Sequence, residues 1–160
     1  MESFNGLPAH PLFIHAPVML VPLTTLLTLV FVVRPMWRRR AWYALPGAAA
    51  LCIGTTQLAI MSGEAFDEIA GDAIDTSTHE TLALWTRAFL VLFFVASLVL
   101  AVLDRRLATG SGPGWAGSGV LIMVAVTTIL SILASVWMFR TGDEGARLVW
   151  DGVLTGLLFG

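Results

Sequence analysis

The residues best equipped for chemistry in this chain are its three histidines, His10, His15 and His79. Two stand in Ala9-His10-Pro11-Leu12-Phe13-Ile14-His15-Ala16-Pro17, at the mouth of the first long apolar run, and His79 opens another such run. Neutral imidazole is the commonest metal ligand among side chains. An ionisable group at membrane depth is costly and marks a functional position by default. Pro11 and Pro17 disfavour helix at His10 and Ala16. Residues 10–15 are therefore expected to form a short separate turn in which the two rings can converge. In a continuous helix they would point about 140° apart, at about 100° per residue. The structural alternative is a pair of interfacial histidines that cap helix ends.

His79 shares a helix face with Thr86, seven residues on, and Glu80 shares the neighbouring face with Arg87. An arginine two turns inside the bilayer must snorkel or pair. The expected partners of Arg87 are Glu80, Glu64, Asp67 and Glu68, in an ion pair that ties the loop to the bundle. The sharper alternative is an arginine facing a bound anion or a cofactor carboxylate. Gln57 is the other polar group of interest, because an amide in hydrocarbon needs a partner. A bis-histidine haem b would use His79 with His10 or His15, and Arg87 would meet a propionate. A divalent metal would use His10, His15 and His79, joined by Glu64 or Asp67.

The positioning elements follow from composition. Of the 160 residues 57% are hydrophobic and 12% charged, against roughly 45–50% and roughly 25% in soluble domains. That is the balance of a multi-pass membrane protein. Apolar runs of about 20 residues mark spanning helices. Four are read, at about 14–33, 42–62, 82–103 and 117–139. The expected fold is all-α, an integral membrane four-helix bundle forming a single domain over 1–160.

Arg34, Arg38, Arg39 and Arg40 follow the first span, and Asp104, Arg105 and Arg106 follow the third. By the positive-inside rule this side is cytoplasmic and both termini are extracytoplasmic. The histidines and nearly every acid then lie outside. Trp42 and Tyr43 fit an interfacial belt on one side, Trp85 and Trp137 on the other. Residues 63–80 carry Phe66, Ile69, Ala70, Ala73 and Ile74 at helical spacing, which predicts a short amphipathic outer loop helix. The glycine-rich stretch 110–119 reads as a turn. Residues 147–160 form an apolar tail too short to span, expected to rest on or dip into the outer leaflet. Its Gly152, Gly156 and Gly160 recur every four residues.

Other features favour packing over chemistry. Ala50 with Gly54, and the seam Thr127, Ser131 and Ser135, have the small-residue spacing of tight helix contact in lipid. Cys52, the one cysteine, is expected to pack as a core thiol. The acidic loop lacks the ligand spacing of a calcium loop. There is no lysine and no groove-like basic patch, so nucleic acid is not a partner. The first sixteen residues carry no arginine, so no charged signal region is read there. No nucleophile motif of the Gly-x-Ser-x-Gly kind occurs.

The order of these features resembles DUF2231, a family of bacterial membrane proteins defined only as a domain of unknown function. The opening Gly6-Leu7-Pro8-Ala9-His10-Pro11-Leu12-Phe13-Ile14-His15-Ala16-Pro17 looks like its His-Pro-Leu-x-x-His-x-Pro signature. Thr141-Gly142-Asp143-Glu144-Gly145-Ala146-Arg147-Leu148-Val149-Trp150 is similar to its closing Thr-Gly-x-x-Gly-x-x-Leu-Val-Tyr stretch. Gly54, the acidic segment and His79 fall at its intermediate polar positions. Many relatives carry a histidine where this chain has Asp143, and another near Asp151, so the ligand inventory here is smaller. Some relatives are joined to, or encoded with, redox domains such as Rieske iron–sulfur modules. The resemblance implies a bacterial cytoplasmic (inner) membrane location and a redox protein or larger membrane complex as partner, beside the lipid bilayer itself.

Two functions stay open on the sequence. One is a haem- or metal-binding electron-transfer component with a histidine cluster on its outer face. The other is a noncatalytic accessory or scaffold subunit, in which the histidines fix helix ends. A transporter ranks below both, because no inverted repeat is visible between the halves. A stand-alone enzyme is the less favoured reading.

Overall fold

A computed structural model describes the backbone of all residues except 1–2, 5–6, 71–74 and 160, and the side chains of 13–64, 75–148 and 150. A two-residue ribbon comes first: β1 (Ser3–Phe4) pairs antiparallel with β2 (Leu7–Pro8), Phe4 opposite Leu7. The other described elements are helices. The elements are α1 (Ala9–Val33), α2 (Pro35–Arg40), α3 (Ala44–Ala70), α4 (Ser77–Ala108) and α5 (Ala116–Phe159). Four of these contain a stretch long and apolar enough to cross a membrane: Phe13–Val33, Ala44–Glu64, Ser77–Ala108 and Ala116–Leu148. The four expected spans are all present.

Local sequence sets the breaks. Pro35 has no N–H and disfavours helix at the residue before it. Arg34 accordingly leaves α1 at φ −127°, ψ 69°, and the chain turns into α2. Gly110 ends α4 in the left-handed region, at φ +66°. Its N–H reaches the Leu107 carbonyl at 3.2 Å and that of Ser111 reaches Arg106 at 3.0 Å. This is a Schellman cap, and it leaves glycine as the residue that fits without strain.

The long helices form a closed ring, α1 on α3, α3 on α4, α4 on α5 and α5 back on α1. The core is stacked in three layers along the bundle. Val21, Cys52, Leu90, Ala134 and Met138 form one, Phe31, Leu45, Ala49 and Phe93 the next, and Leu100, Leu103 and Val120 the last. The distribution of polarity is that of a membrane bundle. Thr24, Thr28, Thr56, Thr86, Ser97, Thr127 and Ser131 are buried, whereas Leu121 is 73% and Phe139 76% exposed. Lipid is as apolar as leucine, so small and hydroxyl residues bring helices together instead.

Two local expectations are corrected. First, α1 is helical from Ala9 through Pro11, Pro17 and Pro22, so the separate turn at residues 10–15 does not form. Pro11 falls in the first turn, where proline is tolerated. Second, α3 continues through Ala70, so residues 63–70 are its last turns and not a separate loop helix. Residues 71–74 lie outside the described ones. The tail expected to rest on or dip into the outer leaflet is continuous with α5, whose 44 residues run about 66 Å. That length exceeds a hydrocarbon core of about 30 Å.

Candidate functional site

The acid-rich end of the bundle is where the sequence places its chemistry. Asp75 starts α4 there: Ser77 N–H donates to its Oδ1 at 3.1 Å. Hydrogen bonds from the Ser77 hydroxyl and N–H hold the Asp75 carboxyl below its usual range. His79 follows in the first turn of α4 and is half-buried. Its ring lies against Gly145 of α5: a Cβ on that glycine would sit 2.9 Å from Cε1 and 3.2 Å from Nδ1 of His79. Nδ1 is buried with no hydrogen-bond partner among the described residues.

Two turns further along α4, Thr86 meets Thr141, their hydroxyl oxygens 3.2 Å apart. Each hydroxyl also reaches the carbonyl one turn back, Thr86 to Leu82 at 2.9 Å and Thr141 to Trp137 at 2.8 Å. Two protons thus serve three contacts. The His79–Thr86 face predicted from spacing is real, and its counterpart is the Thr141–Gly145 turn of α5.

Arg87, one residue from Thr86, turns toward α3 instead. Its Nη1 donates to Gln57 Oε1 at 2.7 Å. The expected carboxylate partners are replaced by an amide: Glu64 and Glu80 are both exposed, and the side chains of Asp67 and Glu68 lie outside the described residues. Gln57 thereby gains the partner that hydrocarbon demands.

The histidine cluster does not assemble among the described side chains. His15 is exposed on α1 and has a contact of its own. His10 and Asp67, the other expected ligands, lie outside the described side chains. No group of three His, Cys, Asp or Glu residues close enough to hold a metal ion occurs among the described residues.

The seams elsewhere are packing contacts. Thr25 donates to the Ser131 carbonyl at 2.8 Å and its hydroxyl meets that of Ser135 at 2.8 Å, joining α1 to α5. Cys52 is fully buried, its thiol 3.3 Å from the Thr24 hydroxyl. The Ala50–Gly54 pair is corrected by one residue. A Cβ on Gly54 would have nothing within 4 Å, and it is Ala49, not Ala50, that is fully buried on α3.

Sequence reasoning missed the strongest polar contact, at the opposite end. Arg38 Nε and Nη2 donate to Asp104 Oδ2 at 2.5 Å and Oδ1 at 3.2 Å. Asp104 is 2% exposed and Arg38 7%. Arg39 Nε lies 3.6 Å from the same carboxylate. Arg105 stacks over the Trp42 ring, 4.7 Å from its centroid. The available signal was that Asp104 is the sole acid between residues 81 and 142. A lone acid among arginines at a span end is a candidate for burial with one of them.

With both motif ends placed, the comparison with known proteins is direct. The family described as predicted membrane proteins (DUF2231) matches residues 6–156. The chain belongs to DUF2231. No curated protein and no solved structure matches it. Within this DUF2231 chain the closing Thr-Gly-x-x-Gly stretch has a structural meaning, since Thr141 meets Thr86 and Gly145 accommodates His79.

Proposed function

We propose that this DUF2231 protein is a noncatalytic accessory or scaffold subunit of a membrane complex, in the cytoplasmic membrane of a bacterium, with both termini outside. The observation that carries this reading is the use made of its polar side chains. Thr24 with Cys52, Thr25 with Ser135, Thr86 with Thr141, Gln57 with Arg87 and Arg38 with Asp104 each join two helices. Groups that could handle a substrate are committed to holding the bundle. The length of α5, 44 residues to Phe159, is more than a hydrocarbon core of about 30 Å requires, and the excess supplies a rod for a neighbour to pack on. The orientation is supported by the six arginines, Arg34, Arg38, Arg39, Arg40, Arg105 and Arg106, at one end.

A second reading, a haem- or metal-binding electron-transfer component, is favoured by one observation, the buried Nδ1 of His79, which has no partner among the described residues. Buried polar atoms normally find partners, and an exception asks for a reason. Arg87 fits a propionate less well than expected, because Gln57 already occupies part of its fork.

One experiment separates the two. Absorption spectra, oxidised and dithionite-reduced, are taken with elemental analysis on detergent-purified protein grown with ample haem and metals. The accessory reading expects no Soret band and no stoichiometric metal. It also expects a site-specific photocrosslinker at Trp150 to give one discrete adduct in native membranes. A Soret band that shifts on reduction and is lost in His79→Ala would replace it with the cofactor reading.

A further inference from the structure

We infer that the arginine-rich end of the bundle holds the headgroups of anionic phospholipids, with Arg39 and Arg40 of α2 and Arg105 and Arg106 of α4 as phosphate ligands. Charge imbalance is the first argument. Residues 3–63 contain no acid and residues 81–142 only Asp104. At this end of the bundle six arginines (34, 38, 39, 40, 105 and 106) are set against that one acid, leaving a surplus of five positive charges by subtraction. Asp104 is held by Arg38 in a buried bidentate pair, and Arg39 Nε lies 3.6 Å from its Oδ1 while the Arg39 side chain stays 51% exposed, with its terminal nitrogens left for phosphate. Arg34, Arg39, Arg40, Arg105 and Arg106 remain exposed.

Position is the second argument. Met36, Trp37, Trp42, Tyr43 and Trp115 are exposed at this same end, as rings at headgroup depth are. Order is the third. The Arg38–Asp104 pair pins α2 to the end of α4, and Arg105 over Trp42 pins the turn between α2 and α3 to it. The guanidiniums are therefore presented on a fixed surface and not on a loose loop. A planar guanidinium matches phosphate oxygens bidentately. A soluble anion would answer the charge but not the apolar and aromatic rim, which an acyl chain covers. The occupant is accordingly a lipid.

The test uses the full chain in a mild neutral detergent. Phosphatidylglycerol or phosphatidylcholine is titrated in, and retained lipid is counted by native mass spectrometry alongside the unfolding midpoint. Phosphatidylglycerol is expected to bind more tightly and to raise the midpoint more, with both effects weakened by high salt. Arg39→Gln with Arg40→Gln should weaken the preference by about fivefold per arginine removed. Arg39→Lys with Arg40→Lys, which keeps the charge but not the bidentate fork, should retain more of the preference than the glutamine variant and less than the parent. Equal retention of the two lipids would overturn the assignment, as would a full preference in the glutamine variant or equal loss in the lysine variant. A midpoint shift by inorganic phosphate matching that of phosphatidylglycerol would overturn the lipid in favour of a free anion.

Discussion

His79 lies over Gly145 so closely that a single added methyl group would come within 2.9 Å of its ring. The relationship joins the start of α4 to the later turns of α5. It explains glycine at that position by space, since the backbone there is ordinary helix. A helix-interior glycine otherwise costs about 0.5–1 kcal/mol relative to alanine, so its presence offsets a worse clash.

Gly145→Ala is therefore expected to destabilise the bundle by about 1–3 kcal/mol, the range for overpacking. His79→Ala in the same chain should restore most of the loss by emptying the contested space. Thermal unfolding of the two single variants and the double variant in detergent measures the coupling. Additive losses would show that the two residues do not touch.

Asp104→Ala leaves Arg38 buried without its counter-charge. Breaking one side of a buried pair costs about 3–5 kcal/mol. Arg38→Met combined with Asp104→Leu should recover much of that, because the pair's desolvation cost is removed along with its attraction. A chemical or thermal unfolding series reads both. A double variant no better than Asp104→Ala would mean that the surrounding packing, not the unpaired charge, dominates.

Gln57→Leu removes the one acceptor that Arg87 has among the described residues. An unsatisfied buried donor costs about 1–3 kcal/mol, reduced here to the extent that the arginine stem snorkels. Gln57→Glu keeps an acceptor and adds charge complementarity, so it should lie near or above the parent stability. Comparing the midpoints of the two variants decides whether the contact is energetic or incidental.

Gly110→Ala places a Cβ in the left-handed region at φ +66°. The expected cost is about 1–2 kcal/mol, from the clash with the following carbonyl. Gly114→Ala, nearby and with open space around its Cβ position, serves as the control and should be near neutral. Hydrogen exchange at Ser111 should rise in the first variant and not in the second, because the Ser111 N–H closes the cap.

What the sequence by itself determined is everything governed by length, composition and local backbone chemistry. Runs of some twenty apolar residues require helices in hydrocarbon, because only a helix satisfies its own backbone there. Pro35 and the glycines after Thr109 set breaks that depend on nearest neighbours alone. Burial of Cys52, the packing seam through Ser131 and Ser135, and the shared face of His79 and Thr86 were likewise legible, because helical period places them without knowledge of a partner.

Partners across helices were decided only by the tertiary structure. Arg87 meets Gln57, and no acid among the described side chains, and Arg38 is chosen from a cluster of arginines to be buried with Asp104. Both depend on helix rotation and vertical offset, which ring closure of α1, α3, α4 and α5 sets and which no single helix encodes. A rotation of one residue, about 100°, separates the expected Ala50 contact from the observed Ala49 one. The same limit applies to the histidines. Proline chemistry permitted a turn at residues 10–15, but cooperative hydrogen bonding carried α1 through it, and His79 found its neighbour in a glycine sixty-six residues away.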